Sequence, residues 1–136
     1  MTVGIPNAYI QADLPPTPQG GDQVILKLSG LLVYLVTQMA PETYGGKAVF
    51  ENGKKTLYSD VTKGLYGMLV AGLFWYRTFS GDLIADGYTK NPYDPCVCNK
   101  IIQQKQHTVG FHVDDSMCGM ENKHTNDQFL VWLNKK

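Results

Sequence analysis

The sequence has little of what would place it in a specialised class. Only 18% of its 136 residues are charged, and 12 basic residues balance 12 acidic ones to a net charge of +0. Without a positive field, the chain is not expected to bind nucleic acid strongly by itself. Its longest apolar runs, residues 30–36 and 67–76, are shorter than the roughly 20 residues of a membrane helix. A signal peptide is also absent, so we expect an intracellular chain without a membrane span.

Cysteine is scarce as well. Three cysteines are an odd number for a disulfide framework, and an intracellular chain is not expected to form one. Cys96 and Cys98 would share one strand face, and Cys118 could add a third thiol. The paired C-x-x-C spacing of structural zinc sites is missing, so buried core cysteines are the main prediction and zinc the alternative. The histidines that could join such a site are His107, His112 and His124.

What the sequence does contain is typical of a globular protein. Hydrophobic residues make up 43% of the chain, and 14 glycines indicate many turns. The length suits one domain that buries about two thirds of its unfolded surface.

Apolar runs bounded by turn residues predict the strands. We expect strands at residues 2–5, 24–28, 47–50, 55–61, 96–102, 107–113 and 116–120. Asn52-Gly53 is the strongest short-range hairpin signal. Residues 103–106 are expected to connect a second hairpin.

Periodicity of three and four predicts a long amphipathic helix over residues 62–86 and another over 126–136. Asp127 near the start of the second helix, with Lys135 and Lys136 at its end, would suit the helix dipole. Residues 30–39 could form a short helix or a strand, and residues 7–12 a helical turn or a bend. Residues 15–21, rich in proline and glycine, are expected to form an open loop. The predicted fold is α+β, with helices on one face of an antiparallel sheet.

Two adjacent carboxylates, Asp114 and Asp115, end the strand predicted at residues 107–113. Neighbouring strand side chains point to opposite faces, so one aspartate would be the principal ligand of any site. A two-metal phosphoryl-transfer site needs carboxylates from separate segments, with metal ions about 4 Å apart. The alternative is a polar hairpin turn without chemistry.

Five short segments together follow a known pattern. They are Asn7-Ala8-Tyr9-Ile10-Gln11-Ala12-Asp13-Leu14, Leu65-Tyr66-Gly67-Met68, Trp75-Tyr76, Asp94-Pro95-Cys96 and His112-Val113-Asp114-Asp115. In order and spacing, residues 3–136 resemble the palm of reverse transcriptases from copia-type LTR retrotransposons.

The resemblance implies RNA- or DNA-templated DNA synthesis. A primer 3′-hydroxyl would attack the α-phosphate of a dNTP, assisted by two Mg²⁺ ions, with Mn²⁺ as an alternative. Asp114 and Asp115 would be the catalytic metal ligands. Tyr9 would pack under the nucleotide sugar and exclude a 2′-hydroxyl, although a buried aromatic is an equal alternative. The implied partners are a template-primer nucleic acid, the dNTP and the fingers and thumb of a longer polyprotein, with no membrane.

Three departures weaken the catalytic expectation. Gly4 stands where the family has its first catalytic aspartate, Val70 where many members have a glutamine, and His112 where they have an aromatic. We assign no chemistry to His112. The chain begins almost at the first motif and stops at Lys136, so the fingers and thumb, with most of the basic residues, are expected to be missing. The hypothesis is a palm fragment that is not competent alone, located in the cytoplasm, the nucleus or a virus-like particle.

The competing hypothesis is a non-catalytic α+β module that binds nucleic acid or a protein partner through an exposed sheet. Aromatics on an open sheet can stack bases. Tyr58, Phe111 and Trp132 could do so, but we expect them in the core. In either case, apolar faces left without partners would favour association.

Overall fold

The computed structural model describes residues 1–14 and 24–135. The loop predicted at residues 15–21 therefore lies outside the described residues. The described part contains these helices: α1 (Ala8–Gln11), α2 (Leu31–Met39), α3 (Pro41–Tyr44), α4 (Ala71–Ala85) and α5 (Lys123–Leu133). Its strands are β1 (Thr2–Gly4), β2 (Ile25–Ser29), β3 (Val49–Glu51), β4 (Lys54–Asp60), β5 (Thr89–Lys90), β6 (Val97–Ile102), β7 (Lys105–His112) and β8 (Asp115–Gly119).

The chain divides into two compact units, each with its own antiparallel sheet. Met1–Asp13 and Lys63–Lys136 form the first unit, and Leu14–Thr62 forms the second. The first contains a five-stranded sheet in the order β1-β8-β7-β6-β5, and the second a three-stranded sheet in the order β2-β4-β3. The mixture of helices and antiparallel sheets confirms the predicted α+β class.

Helices cover one face of the five-stranded sheet. Cys98, Val109 and Cys118 lie opposite one another on adjacent strands, and all three are buried. Cross-strand partners share a face, so this face is the inner one. Side chains of α1, α4 and α5 pack against it, including Phe79 and Phe129. The predicted arrangement is thus confirmed for this sheet, and so is the burial of two of the three cysteines.

The long helix α4 begins nine residues later than its periodicity predicts. Gly64 approaches the backbone of α1 so closely that a Cβ atom on it would lie 2.6 Å from the carbonyl oxygen of Tyr9. Gly67 has a φ of 92°, which a helix does not allow. The apolar residues before Ala71 therefore belong to turns that contact α1, and the predicted start at residue 62 was wrong.

Helix α5 begins three residues earlier than predicted. The side chain of Asn122 caps it by accepting a hydrogen bond of 2.9 Å from the backbone N–H of His124. Its first turn contains no acidic residue, so the dipole argument for Asp127 was wrong. The helix ends at Leu133, before the two lysines at the C-terminus.

Both predicted hairpins of the chain are present. Asn52-Gly53 connects β3 to β4 with φ values of 51° and 75°. In the second hairpin, Ile102 pairs with Lys105, so the loop contains two residues rather than the predicted four. These are Gln103 and Gln104, and both have positive φ, at 50° and 65°. Such values favour asparagine and glycine, so the sequence gives no signal for this tight turn.

In the second unit, residues 31–39 form a helix, and the strand alternative was wrong. Val33 of α2 and Leu57 of β4 are fully buried. Tyr58, expected in the core, is 46% exposed, and its hydroxyl donates a hydrogen bond of 2.7 Å to Glu51. In the first unit, Phe111 is buried as expected and Trp132 is partly buried.

Among the residues that the structure describes, no helix has the length and apolar character needed to cross a membrane.

Candidate functional site

The two aspartates lie at the tip of the hairpin that joins β7 to β8. His112 pairs with Asp115, so Val113 and Asp114 form the turn and Asp115 begins β8. Both aspartates are exposed. Within the described residues, neither carboxylate forms an ion pair, so both are available to a ligand. Asp114 belongs to a turn rather than to a strand, so the predicted strand alternation does not govern this pair.

The turn itself is strained. Val113 has a φ of 55°, a left-handed conformation that β-branched residues avoid. Such a residue costs about 1–3 kcal/mol and persists only where the surroundings enforce it. The loop residues Gln103 and Gln104 also have positive φ, so this conformation follows from the tight two-residue loop and does not by itself distinguish a functional site from a polar turn.

Trp75 on α4 contacts the turn through its side chain. Its indole N–H donates a short hydrogen bond to the carbonyl oxygen of Val113. The tryptophan is only 4% exposed and stacks on Phe79, with ring centroids 5.2 Å apart. A buried indole needs an acceptor, and this one is supplied by the turn. The resemblance includes Trp75, but sequence reasoning assigned it no role.

Strand β1 brings a distant position beside the aspartates. Gly4 pairs with Asp115 across β1 and β8, and the backbone N–H of Ile5 donates a hydrogen bond of 2.6 Å to the carbonyl oxygen of Asp114. A Cβ atom on Gly4 would lie 4.0 Å from Oδ1 of Asp115 and meets no other atom within that distance. Directly paired residues share a sheet face. A side chain at position 4 would therefore point to the same place as the Asp115 carboxylate.

Asp115 lies on the face of the sheet that the helices leave open. Gly4, Gly110, Met117 and Gly119 share this face through the alternation and register of the strands. Met117 is 63% exposed. Beside it is a shallow cavity of about 360 Å³, lined by Met1, Thr108, Gly110, Met117, Cys118 and Gly119. The sequence predicted an exposed sheet face but not this cavity, which Gly110 and Gly119 among alternating strand residues could have indicated.

Tyr9 belongs to a second cluster, where the first motif meets the second. Its ring centroid is 4.6 Å from that of Tyr66, and its hydroxyl would be 3.6 Å from a Cβ atom on Gly72. The backbone N–H of Gly64 donates to the carbonyl oxygen of Ala12 at 3.0 Å. Tyr9 is half-buried, and it makes no hydrogen bond to either aspartate. The structure thus brings Gly4 and the aspartates together and joins Tyr9 to the segment around Tyr66.

The cysteines and histidines do not form a comparable site. Burial raises the pKa of the Cys98 and Cys118 thiols, which keeps them protonated. His107 is fully buried, whereas His112 and His124 are exposed. In residues 1–14 and 24–135, no three His, Cys, Asp or Glu side chains are grouped as metal ligands.

The donors at the hairpin tip fit Mg²⁺ or Mn²⁺ in kind but not in number. Carboxylate oxygens are the ligands that these hard cations prefer. Asp114 and Asp115 supply them from one segment only, and Gly4, on the neighbouring strand, supplies none. The residues present therefore do not make up a two-metal site, and no catalytic step through metal ions follows from them.

Comparison of the chain with known protein families, with curated proteins and with solved structures finds no match.

Proposed function

We propose that this chain is the palm part of a reverse transcriptase similar to those of copia-type LTR retrotransposons, and that its metal site is incomplete. One observation carries the proposal: β1 and β8 pair so that Gly4 faces Asp115, with 4.0 Å between a Cβ atom at position 4 and the carboxylate. These two positions come from opposite ends of the sequence. They are two of the three positions at which the resemblance calls for catalytic carboxylates, and the third, Asp114, precedes Asp115 in the same hairpin.

Three further contacts support the proposal, because each joins segments that carry the resemblance. Ile5 bonds to the backbone of Asp114, Trp75 bonds to the backbone of Val113, and the Tyr9 ring packs on Tyr66. All of these contacts lie within one compact unit, residues 1–13 and 63–136. The open sheet face beside Asp115 also leaves room for a bound polymer.

The same geometry argues against activity of this chain alone. Glycine at position 4 leaves Asp115 without a carboxylate on the neighbouring strand. Val70, at the position of the family's glutamine, is 41% exposed and apolar, and Leu69 beside it is fully exposed. The contacts to template and primer would have to come from other parts of a longer protein. We expect no primer extension by the purified chain, and extension abolished by Asp114→Ala would contradict this expectation.

Metal titration tests the site directly. Mn²⁺ binding is measured for the unmodified chain, for Gly4→Asp, and for Gly4→Asp combined with Asp115→Asn. Gly4→Asp is expected to bind Mn²⁺ about tenfold more tightly, a gain of about 1.4 kcal/mol, because it completes a pair of carboxylates. The second substitution should remove the gain.

Gly119→Asp is the matched control for this titration. Gly119 is exposed on the same sheet face, and a Cβ atom on it would meet nothing within 4 Å. The Gly119→Asp variant adds the same charge without a partner carboxylate beside it, so its affinity for Mn²⁺ should equal that of the unmodified chain. Equal affinities for all variants would show that the two positions do not form a site, and the polymerase proposal would then lose its main support.

A lysine beside an exposed tyrosine ring favours the non-catalytic alternative, a module that binds nucleic acid. On the three-stranded sheet, Lys27 lies 5.4 Å from the centre of the exposed Tyr58 ring, an arrangement that can stack a base and contact a phosphate. The lysine is already paired with Glu51 at 2.8 Å, which weakens the attraction for a polyanion. Oligonucleotide binding that falls steeply with salt and is lost in Tyr58→Ala would favour this module.

A further inference from the structure

The side chain of His107, a residue of β7, is buried in the core against α5. The residue is 0% exposed, and its ring lies 5.4 Å from that of Phe129 on α5 and 5.8 Å from that of Tyr88. The Tyr88 hydroxyl and Nδ1 of His107 are 2.7 Å apart. Burial raises the pKa of the Tyr88 phenol, so the hydroxyl keeps its proton, and burial lowers the pKa of His107, which favours the neutral imidazole. In the neutral tautomer with its proton on Nε2, Nδ1 accepts the hydrogen bond of the Tyr88 hydroxyl.

The other ring nitrogen meets α5. Nε2 of His107 has no hydrogen-bond partner of good geometry among the described residues, and the same holds for Oδ1 of Asn126. Asn126 nevertheless faces the ring and interacts with it weakly, while its amide N–H donates to the carbonyl oxygen of Met120 at 3.2 Å. The helix therefore contacts the imidazole through one weak polar contact and one aromatic ring.

The surroundings do not favour a charged imidazole. Lys100 pairs with His107 in register, and its ammonium is 2.9 Å from the carboxylate of Asp86. The other titratable groups nearby are the Tyr88 phenol and the buried thiols of Cys98 and Cys118. On α5, the ionisable residues Lys123, His124 and Asp127 are exposed. Among the described residues, no carboxylate hydrogen-bonds to the His107 ring, and the nearby carboxylate of Asp86 already pairs with Lys100.

We propose that His107 is an acid-sensitive latch, which holds α5 on the sheet while its ring is neutral and releases the helix when the ring is protonated. A second proton on Nδ1 would reverse the hydrogen bond with Tyr88 and place a positive charge in a fully buried site to which the described residues supply no carboxylate partner. Helix α5 is the element that yields, because it faces the ring and, among the described residues, only Thr125 and Phe129 of it are buried, while Trp132 and Leu133 pack on the core but stay partly exposed. Release would expose the inner face of β7 at the end away from the aspartates.

The direction of the pH effect follows from the burial. Burial is the main cause that lowers the pKa of His107 below its usual value of about 6.5; the contact with the Asn126 side chain opposes this effect, and Lys100 adds to it. The unfolded or released form thus binds the proton more readily than the packed form. The stabilising contribution of the neutral ring is fully present above pH 6.5 and is lost as the pH falls through the pKa of the packed state.

Fluorine NMR of the full chain labelled with 5-fluorotryptophan tests the latch, because its two tryptophans report separately. Trp132 on α5 stacks on Phe129, with centroids 5.3 Å apart, whereas Trp75 is held on α4. Between pH 8 and pH 5, the Trp132 signal should move to that of a solvent-exposed indole with a midpoint below 6.5. The Trp75 signal should not move with it. In the same samples, the His107 ring signals should titrate with the Trp132 midpoint.

His107→Gln and His124→Gln form the matched pair of variants. Glutamine at position 107 can still accept from Tyr88 but does not titrate, so the Trp132 transition should disappear. His124 is exposed on the same helix, so its replacement should leave the transition intact. An unmoved Trp132 signal, an unchanged transition in His107→Gln, or joint movement of Trp75 would each overturn the latch. If His107→Gln does not fold, the unmodified chain decides the question. Equal titration midpoints of the His107 ring and the Trp132 signal would support the latch, and different midpoints would overturn it.

Discussion

Gly64 is a residue whose surroundings leave no room for a side chain. A Cβ atom there would collide with the Tyr9 carbonyl oxygen at 2.6 Å. Since that oxygen belongs to backbone, it cannot rotate away. Gly81, in contrast, is an exposed glycine inside α4 with nothing within 4 Å of an added Cβ atom. The two glycines thus differ in environment while the substitution to alanine is chemically the same.

Replacing each of them by alanine should therefore change stability in opposite directions. Gly64→Ala should lower the free energy of unfolding by about 1–3 kcal/mol, because overpacking forces α1 and the turn apart. Gly81→Ala should raise it by about 0.5–1 kcal/mol, because alanine loses less backbone entropy in a helix. Urea unfolding followed by circular dichroism measures both. A stable Gly64→Ala protein would mean that α1 does not approach this turn as described.

At the same scale, the sequence indicates each candidate site residue but not its neighbour. Asp114 and Asp115 are recognisable as a polar pair at the end of a strand. Their partner position is not, because glycine at position 4 carries no chemical signal and the pairing of β1 with β8 is non-local. Only the resemblance pointed to position 4. The left-handed conformation of Val113 could not be predicted from the sequence either. Valine predicts an extended residue, and the turn is imposed by its surroundings.

At the scale of elements, the hairpins β3–β4 and β6–β7 have the same loop length with different loop residues. Asn52-Gly53 and Gln103-Gln104 both have positive φ at each position. A non-glycine residue in this conformation costs about 1–2 kcal/mol, and asparagine tolerates it best. The second hairpin therefore retains strain that the first avoids, and exchanging the two dipeptides tests this.

Gln103→Asn with Gln104→Gly should stabilise β6 and β7 by about 1 kcal/mol, the relief of strain being partly offset by the entropy of the unfolded glycine. The reverse change, Asn52→Gln with Gly53→Gln, should destabilise β3 and β4 by a similar amount. The hairpins lie in different units, so native-state amide exchange of each sheet is the appropriate measurement. If the first exchange weakens protection of β6 and β7, the loop does not have the conformation described.

Whether an element was predicted correctly depends on how local its sequence signal is. The Asn52-Gly53 hairpin was predicted correctly because its turn chemistry is contained in two residues. The start of α4 was not, because the contact of Gly64 with α1 overrides a helical periodicity that continues through the preceding turns. The start of α5 was missed because its cap, Asn122, precedes several polar residues that carry no apolar pattern.

At the scale of the whole molecule, one side of α2 exposes a row of large apolar side chains. Leu31, Leu35 and Met39 follow one another at intervals of four residues and are 72%, 44% and 85% exposed. No residue of α2 is charged. Contiguous apolar surface of this kind lowers the free energy of association when it is buried, because water is released from both partners. We therefore expect the purified chain to self-associate as its concentration rises.

A charged pair on this helix should suppress that association without changing the net charge. Leu31→Glu with Leu35→Lys places opposite charges four residues apart in the favourable order, with the acid at the helix N-terminus, so α2 itself should not be weakened. Light scattering should show the mass of the unmodified chain rising with concentration and that of the variant staying close to the monomer.

Leu69→Glu is the control, because it removes a fully exposed leucine from the other unit. Should this control suppress association as well as the paired variant does, the contact would not be specific to α2. Should the unmodified chain remain monomeric at high concentration, the exposed side of this helix would not drive association at all.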